Sequence, residues 1–199
     1  MSEKLNYKMQ KTGTEEQMSN REKLNNLFQN SPMPIEHLMV NLGLYMRSSV
    51  LAKTLYINEL YEKIIHLPGS IMEFGSWYGT NLALFESLRA IYDPYNYTRK
   101  VIGFDTYDGY ENLSINDGKN ELVQEGQYSI PENYIDYLKE VLDFHQKENV
   151  LPHIKKYELI KGDATKSVYE YLEKNQHTMI SLAYFDMQLY EPTKKCLEA

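Results

Sequence analysis

The chain has 199 residues, enough for one domain with a substantial core and too few for two large ones. Apolar residues make up 42% and charged residues 25%, the balance of a globular protein rather than an unstructured one. Twenty-one basic side chains (21) against 28 acidic ones leave a net charge of −7, which sets the phosphate electrostatics of nucleic-acid binding against this chain. No apolar run approaches the roughly 18 residues of a membrane helix. The first 30 residues are polar and lack the hydrophobic core of a signal peptide. A soluble, cytoplasmic protein with no membrane partner is the expectation. Cys196 stands alone, so neither an internal disulfide nor a Cys-rich zinc site is available. Tyrosine is abundant at 18 residues, which suits a site that hydrogen-bonds polar organic ligands, although ordinary packing accounts for most tyrosines.

Residues 1–20 show no apolar period and predict a mobile tail. Residues 21–68 predict a helical extension, first as short pieces broken around Ser31-Pro32-Met33-Pro34. A clearer helix follows, in which Leu51, Leu55, Leu60, Tyr61, Ile64 and Ile65 recur at helical spacing until Pro68-Gly69. From residue 69 to 199 the rhythm becomes strand–helix alternation. Ser70–Phe74 predicts a strand and Thr80–Tyr92 a helix capped by Thr80 or Asn81. Val101–Phe104 predicts a second strand, followed by a polar segment holding Gly109, Gly118 and Gly126. A helix near Glu132–His145, a strand over Tyr157–Ile160, a helix over Lys166–Lys174 and a strand over Ser181–Phe185 complete the series. Such alternation predicts an α/β fold with a parallel sheet covered on both faces.

In an open α/β sheet, ligands sit beyond the carboxyl ends of the strands. The first strand runs into Glu73-Phe74-Gly75-Ser76-Trp77-Tyr78-Gly79-Thr80-Asn81, an E-x-G-x-x-x-G turn into a helix. Gly75 and Gly79 allow close backbone approach, and the helix start offers N–H donors, though a tight strand–helix turn needs glycine in any case. The second strand ends at Asp105-Thr106, where a carboxylate can accept both hydroxyls of a ribose. The third runs into Gly162-Asp163-Ala164, where an acid and a backbone N–H can hold an adenine edge. Each acid could equally be a turn or helix cap; three in order point to one ligand. A nicotinamide cofactor requires G-x-G-x-x-G with an acid about 20 residues on. Here Trp77 occupies the middle glycine position and 30 residues separate Gly75 from Asp105. An adenosyl ligand without pyrophosphate fits better, which points to S-adenosyl-L-methionine.

The runs IMEFGSWYGTNLALFESLRAIY at 71–92, VIGFDTYDGY at 101–110, EGQYSIPENYIDYL at 125–138, ELIKGDA at 158–164 and YFDMQLYEPT at 184–193 resemble the macrocin O-methyltransferase (TylF-type) family, from roughly residue 40 to the end. The resemblance implies a Rossmann-like class I methyltransferase that uses S-adenosyl-L-methionine to methylate a sugar hydroxyl, a small-molecule acceptor, and a homo-oligomer. It places Glu73, Gly75 and Gly79, within the turn that also holds Ser76 and Asn81, on the methionine part of the cofactor. Asp105 with Thr106 falls on the ribose, and Asp163 with Ala164 on the adenine. Tyr45, Met46, Arg47 and Ser48 match a helical region folding over the cofactor, and Gly126–Leu138 a segment near the acceptor. Asp186 matches the first acid of a D-x-D-L-Y-E-[PS]-T motif, a magnesium ligand, so Mg²⁺ is expected to orient a sugar diol and lower its hydroxyl pKa. Trp77 or Tyr78 is a candidate to face the sulfonium.

Two departures matter. The second acid of D-x-D, the base in relatives, is Gln188 here, and an amide cannot take a proton. Glu191 or Asp108 could serve instead, or catalysis is lost and the chain is a cofactor-binding module acting through a partner. The second departure is that four strands are predicted where the fold has seven. The expectation is a C-terminally incomplete domain, either a truncated product or a short form completed by a partner chain. The five histidines show no metal-ligand spacing, and no G-x-S-x-G elbow supports a hydrolase.

Overall fold

A computed structural model describes residues 13–110, 113–117 and 126–199. Within them the chain divides into two compact units, residues 13–56 and 57–199. The first unit is helical. Helix α1 (Glu15–Gln29) begins inside the stretch expected to be a mobile tail. Its start is fixed by a capping box in which the Gln17 N–H donates to Thr14 Oγ1 (3.3 Å) and the Thr14 N–H donates to Gln17 Oε1 (3.1 Å). Glu15 and Glu16 add favourable charge to the first turn. Residues 1–12 of the expected tail lie outside the described residues. Helix α2 (Ile35–Val40) follows Pro34, a 3₁₀ turn covers Leu42–Tyr45, and the rings of Phe28 and Tyr45 meet edge to face at 5.1 Å. Helix α3 (Ser48–Ile64) ends at the Pro68-Gly69 stop read from the sequence, within four residues.

The second unit is a parallel sheet. Strands β1 (Ser70–Phe74), β2 (Val101–Asp105), β3 (Tyr157–Lys161) and β4 (Ile180–Phe185) lie in the order β3-β2-β1-β4, all parallel. Helices α4 (Thr80–Tyr92), α5 (Tyr134–Glu148), α6 (Ala164–Lys174) and α7 (Tyr190–Leu197) complete the strand–helix alternation. The fold is therefore the Rossmann-like α/β arrangement expected. The central strand β1 is buried along its whole length, and its alternating side chains feed two cores. Ile71 joins Tyr61, Leu82, Phe85, Val101, Leu138 and Leu142 on one face. Met72 and Phe74 join Ile102, Phe104, Val168 and Tyr171 on the other.

Local chemistry moves several element ends from their expected places. Gly79, at φ +77°, is the N-cap of α4, so neither Thr80 nor Asn81 caps it. Asn133 in the left-handed region delays α5 to Tyr134. Asp163 caps α6 with its side chain, which starts that helix at Ala164, two residues earlier than expected. Helix α7 has no cap of its own at Leu189. Instead Asp117, in a short 3₁₀ turn at Ile115–Asp117, accepts the Tyr190 N–H at 2.6 Å and is itself held by Ser114.

At the opposite end of the sheet Arg99 is fully buried. Its Nε pairs with Asp93 at 2.6 Å, Nη1 donates to the Ser181 hydroxyl, and Nη2 donates to the carbonyls of Ile64 and Leu67. One guanidinium thus ties the end of α3, the α4–β2 connection and β4 together. Asp93 also receives the Tyr61 hydroxyl, whose pKa is pushed well above its usual value by burial and by that carboxylate. Among the described residues no helix is long and apolar enough to cross a membrane.

Candidate functional site

The ladder of the sheet continues one residue past its strands. The Gly75 N–H donates to the Phe104 carbonyl, Gly162 N–H to the Asp105 carbonyl, and Asp186 N–H to the Phe74 carbonyl, each at 2.9 Å. Gly162, Asp105, Gly75 and Asp186 therefore stand side by side at the carboxyl edge. At about 4.8 Å per strand they span about 14 Å, the reach of an extended nucleoside with an amino-acid arm. Gly75, at φ +89°, lies against the Asp186 backbone, where an added Cβ would meet the carbonyl at 3.0 Å. Glycine here permits the close approach of two chain ends.

Asp105 is the best organised acid of the edge. One carboxylate oxygen accepts the Trp77 N–H at 2.8 Å, and the other accepts the Tyr107 N–H at 2.6 Å. Both donors sit in the left-handed region, Trp77 at φ +47° and Tyr107 at φ +61°, where a side chain is strained. The carboxylate holds both turns. A carboxylate has about four acceptor positions, and the Ser76 N–H acts on it along with those of Trp77 and Tyr107, so only part of that capacity remains. Burial raises the Asp105 pKa above the usual carboxylate value, against the lowering effect of the backbone donors.

Glu73, on β1, is fully buried and accepts the Asn81 Nδ2 at 2.6 Å. The same amide nitrogen lies 3.3 Å from Asp186 Oδ2, so Asn81 links the acids of two neighbouring strands. Its own Oδ1 is buried and takes no donor. Asp186 itself is exposed. Among the described residues no group of three or more His, Cys, Asp or Glu side chains is placed to hold a metal ion. Asn81 brings an amide to Asp186, and the acid expected two residues on is the amide of Gln188. This set does not fit the magnesium site that the D-x-D resemblance implies.

The remaining expected residues divide by role. Asp163 Oδ1 accepts both the Thr165 N–H (2.9 Å) and its hydroxyl (2.7 Å), while Oδ2 lies 3.8 Å from the exposed Lys166 ammonium. Ala164 puts its methyl into the core below. The Thr106 hydroxyl donates to the Gly109 carbonyl and accepts the Asp108 N–H, closing the turn after β2. A Cβ on Gly79 would meet Leu138 of α5 at 2.5 Å, so this glycine serves helix packing as well as the turn. Ser76 is buried over Gly103, where a Cβ would meet its hydroxyl at 2.7 Å. Gly103 is a requirement of the site that its place inside an apolar strand run concealed.

The other two candidate bases are engaged elsewhere. Asp108 faces Lys161 at 3.6 Å, and Glu191 accepts the Asn116 amide at 3.2 Å. Gln188 donates to the Tyr128 hydroxyl at 3.5 Å. Tyr128 meets the Trp77 ring edge to face at 5.5 Å and lies 5.2 Å from the Tyr110 ring. Burial raises the Tyr110 pKa, with Tyr128, Asp186 and Asp105 adding to the effect. Tyr128 falls in the Gly126–Leu138 segment that the resemblance puts near the acceptor, and its place depends on a left-handed turn at φ +64°.

No protein-family profile matches the chain, and no curated protein matches it. Solved structures do. The crystal structure of CalS11, a calicheamicin methyltransferase, matches with a TM-score of 0.91 at 37% identity over 100% of this chain and 78% of that one. The apo structure of CalS11, described as TDP-rhamnose 3'-O-methyltransferase of calicheamicin biosynthesis, matches with a TM-score of 0.81 at 37% identity over 95% and 74% of the two chains. Fold and likeness together define a Rossmann-like methyltransferase. This chain belongs to the methyltransferase family that CalS11 represents.

Proposed function

We propose that the chain is an S-adenosyl-L-methionine-dependent O-methyltransferase of the macrocin (TylF-type) group, acting on a sugar hydroxyl. The observation that carries the cofactor is the Asp105 carboxylate, seated between Gly75 and Gly162 with acceptor capacity left beyond its three backbone donors. A ribose hydroxyl can donate to what remains. Glu73 and the unpartnered Asn81 Oδ1 provide acceptors suited to an ammonium group at the next strand end. The sugar acceptor is supported by the activity named for CalS11.

The bound cofactor supplies an activated sulfonium methyl. The chain's own work is to bind, align and deprotonate. Gly75 lets the ligand lie against the backbone of β1 and β4, and Asp105 fixes the ribose. Alignment of this kind contributes on the order of 7–11 kcal/mol in favourable cases. Asp186 is an exposed carboxylate at the end of β4, one strand from Gly75, and is the group that would take the proton of the acceptor hydroxyl. Gln188 cannot do so. Among the described residues no group of three or more His, Cys, Asp or Glu side chains is placed to hold a magnesium ion.

Calorimetry tests the reading. The chain is expected to bind S-adenosylhomocysteine and not NAD, and to transfer a methyl group to TDP-rhamnose. Binding of NAD with no affinity for S-adenosylhomocysteine would overturn it.

A further inference from the structure

We propose that Tyr128 and Gln188, with the Trp77 ring, form the acceptor subsite, and that it receives a sugar ring with its apolar face on Tyr128 and a hydroxyl on the Gln188 amide. The proposal rests on the methyl-transfer reading above and adds which residues choose the acceptor. Its geometry is built rather than incidental. Tyr128 is held in a left-handed conformation by a small pairing in which the Tyr110 N–H donates to the Gln127 carbonyl (2.9 Å) and the Gly126 N–H donates to the Tyr110 carbonyl (3.0 Å). Strain of this kind is kept where the chain must aim a side chain. Here it brings the Tyr128 ring nearly perpendicular to Trp77, at 83°, with both rings half-buried. Two rings at a right angle make a corner that can pack the C–H face of a saturated ring.

Polar groups complete the recognition. Gln188 is exposed and spends its Nε2 on the Tyr128 hydroxyl, which leaves its carbonyl oxygen as an acceptor. Asp186 stands two residues before it, at the end of the same strand. An amide beside a carboxylate suits adjacent hydroxyls, one bound and one deprotonated. A flat aromatic acceptor would use the rings and leave the amide without work. Gln188 also lines a cleft of about 630 Å³ along α7, together with Asp117, Tyr190 and Lys194. Because an amide does not titrate, Gln188 acts in binding and adds no pKa to the rate profile.

The test is calorimetry on the full chain saturated with S-adenosylhomocysteine and titrated with TDP-rhamnose. Tyr128→Ala is expected to weaken the sugar nucleotide at least tenfold and Gln188→Leu at least fivefold. Tyr128→Phe, which keeps the ring, is expected to stay within threefold of the parent. S-adenosylhomocysteine affinity should stay within twofold in all three variants. Undiminished sugar-nucleotide binding by Tyr128→Ala, or an equal loss of both ligands in Tyr128→Ala and Tyr128→Phe, would overturn the subsite. A parent chain that binds S-adenosylhomocysteine but not TDP-rhamnose overturns the sugar assignment and leaves the methyltransferase reading standing. A parent chain that does not bind S-adenosylhomocysteine removes that reading and this proposal together.

Discussion

Replacing Asp105 with alanine strips the acceptors from two backbone N–H groups, those of Trp77 and Tyr107. Each unpaired donor costs about 1–3 kcal/mol, and the turns they belong to are already strained. Loss of a buried carboxylate returns part of this, since burial raises its pKa and so opposes its ionised form. A net destabilisation of about 2–4 kcal/mol is expected at neutral pH. For a chain of this length that corresponds to a fall in Tm of about 4–16 °C, read by circular dichroism. The pH dependence follows from the direction of the shift. Between the unfolded value of about 3.9 and the higher folded one, the native state keeps a proton that the unfolded chain has released. Stability of the parent therefore falls as pH rises through that window. Alanine does not titrate, so the gap between parent and variant should be wider at pH 4 than at pH 7. S-adenosylhomocysteine should bind about 10-fold more weakly or worse, as each lost hydrogen bond of 1–3 kcal/mol implies. A variant that melts within about 1 °C of the parent and binds the ligand equally well would refute both the anchoring of the turns and the placing of the ribose.

Arg99→Met should cost about 3–5 kcal/mol, because it leaves Asp93 without its ion partner and takes a donor from the Ser181 hydroxyl and from the carbonyls of Ile64 and Leu67; thermal unfolding reads it, and S-adenosylhomocysteine binding to the folded fraction should be unchanged. Gly79→Ala combines a left-handed backbone with a Cβ 2.5 Å from Leu138, and a loss of about 2–5 kcal/mol is expected from strain and overpacking. The double change Gly79→Ala with Leu138→Ala should recover the overpacking part alone. Asp186→Asn should lower methyl transfer about 10²–10⁴-fold, the range for loss of a general base, while S-adenosylhomocysteine affinity measured by calorimetry stays close to that of the parent.

Legibility in the sequence followed the range of the interaction. Apolar runs such as Ile71-Met72 and Val101-Ile102 announced β1 and β2 because burial on both faces needs only local composition. Asp105 and Gly75 were found as strand ends for the same reason. The start of α1 was written in Thr14 and Gln17, yet a helix that buries no side chain has no apolar period to reveal it. Asn81 is legible in the sequence as a candidate cap, its commonest local use, and as part of the cofactor turn. Its actual partners, Glu73 and Asp186, meet only because β4 pairs with β1 across more than a hundred residues. Asp117 capping a helix 73 residues later belongs to the same class. The change at the D-x-D motif was visible in Gln188, and only the folded arrangement shows that, among the described residues, no group of three His, Cys, Asp or Glu side chains gathers to hold a metal.

Trp77 is the single indole of the chain. Its amide is bonded to Asp105 and its ring lies between Tyr78 and Tyr128. Tryptophan emission from these 199 residues therefore originates at one point, between Asp105 and the proposed acceptor corner at Tyr128. Fluorescence excited at the indole's red edge is a built-in optical gauge of that junction, needing no label, and stopped-flow traces of it can time nucleoside arrival and sugar arrival as separate events.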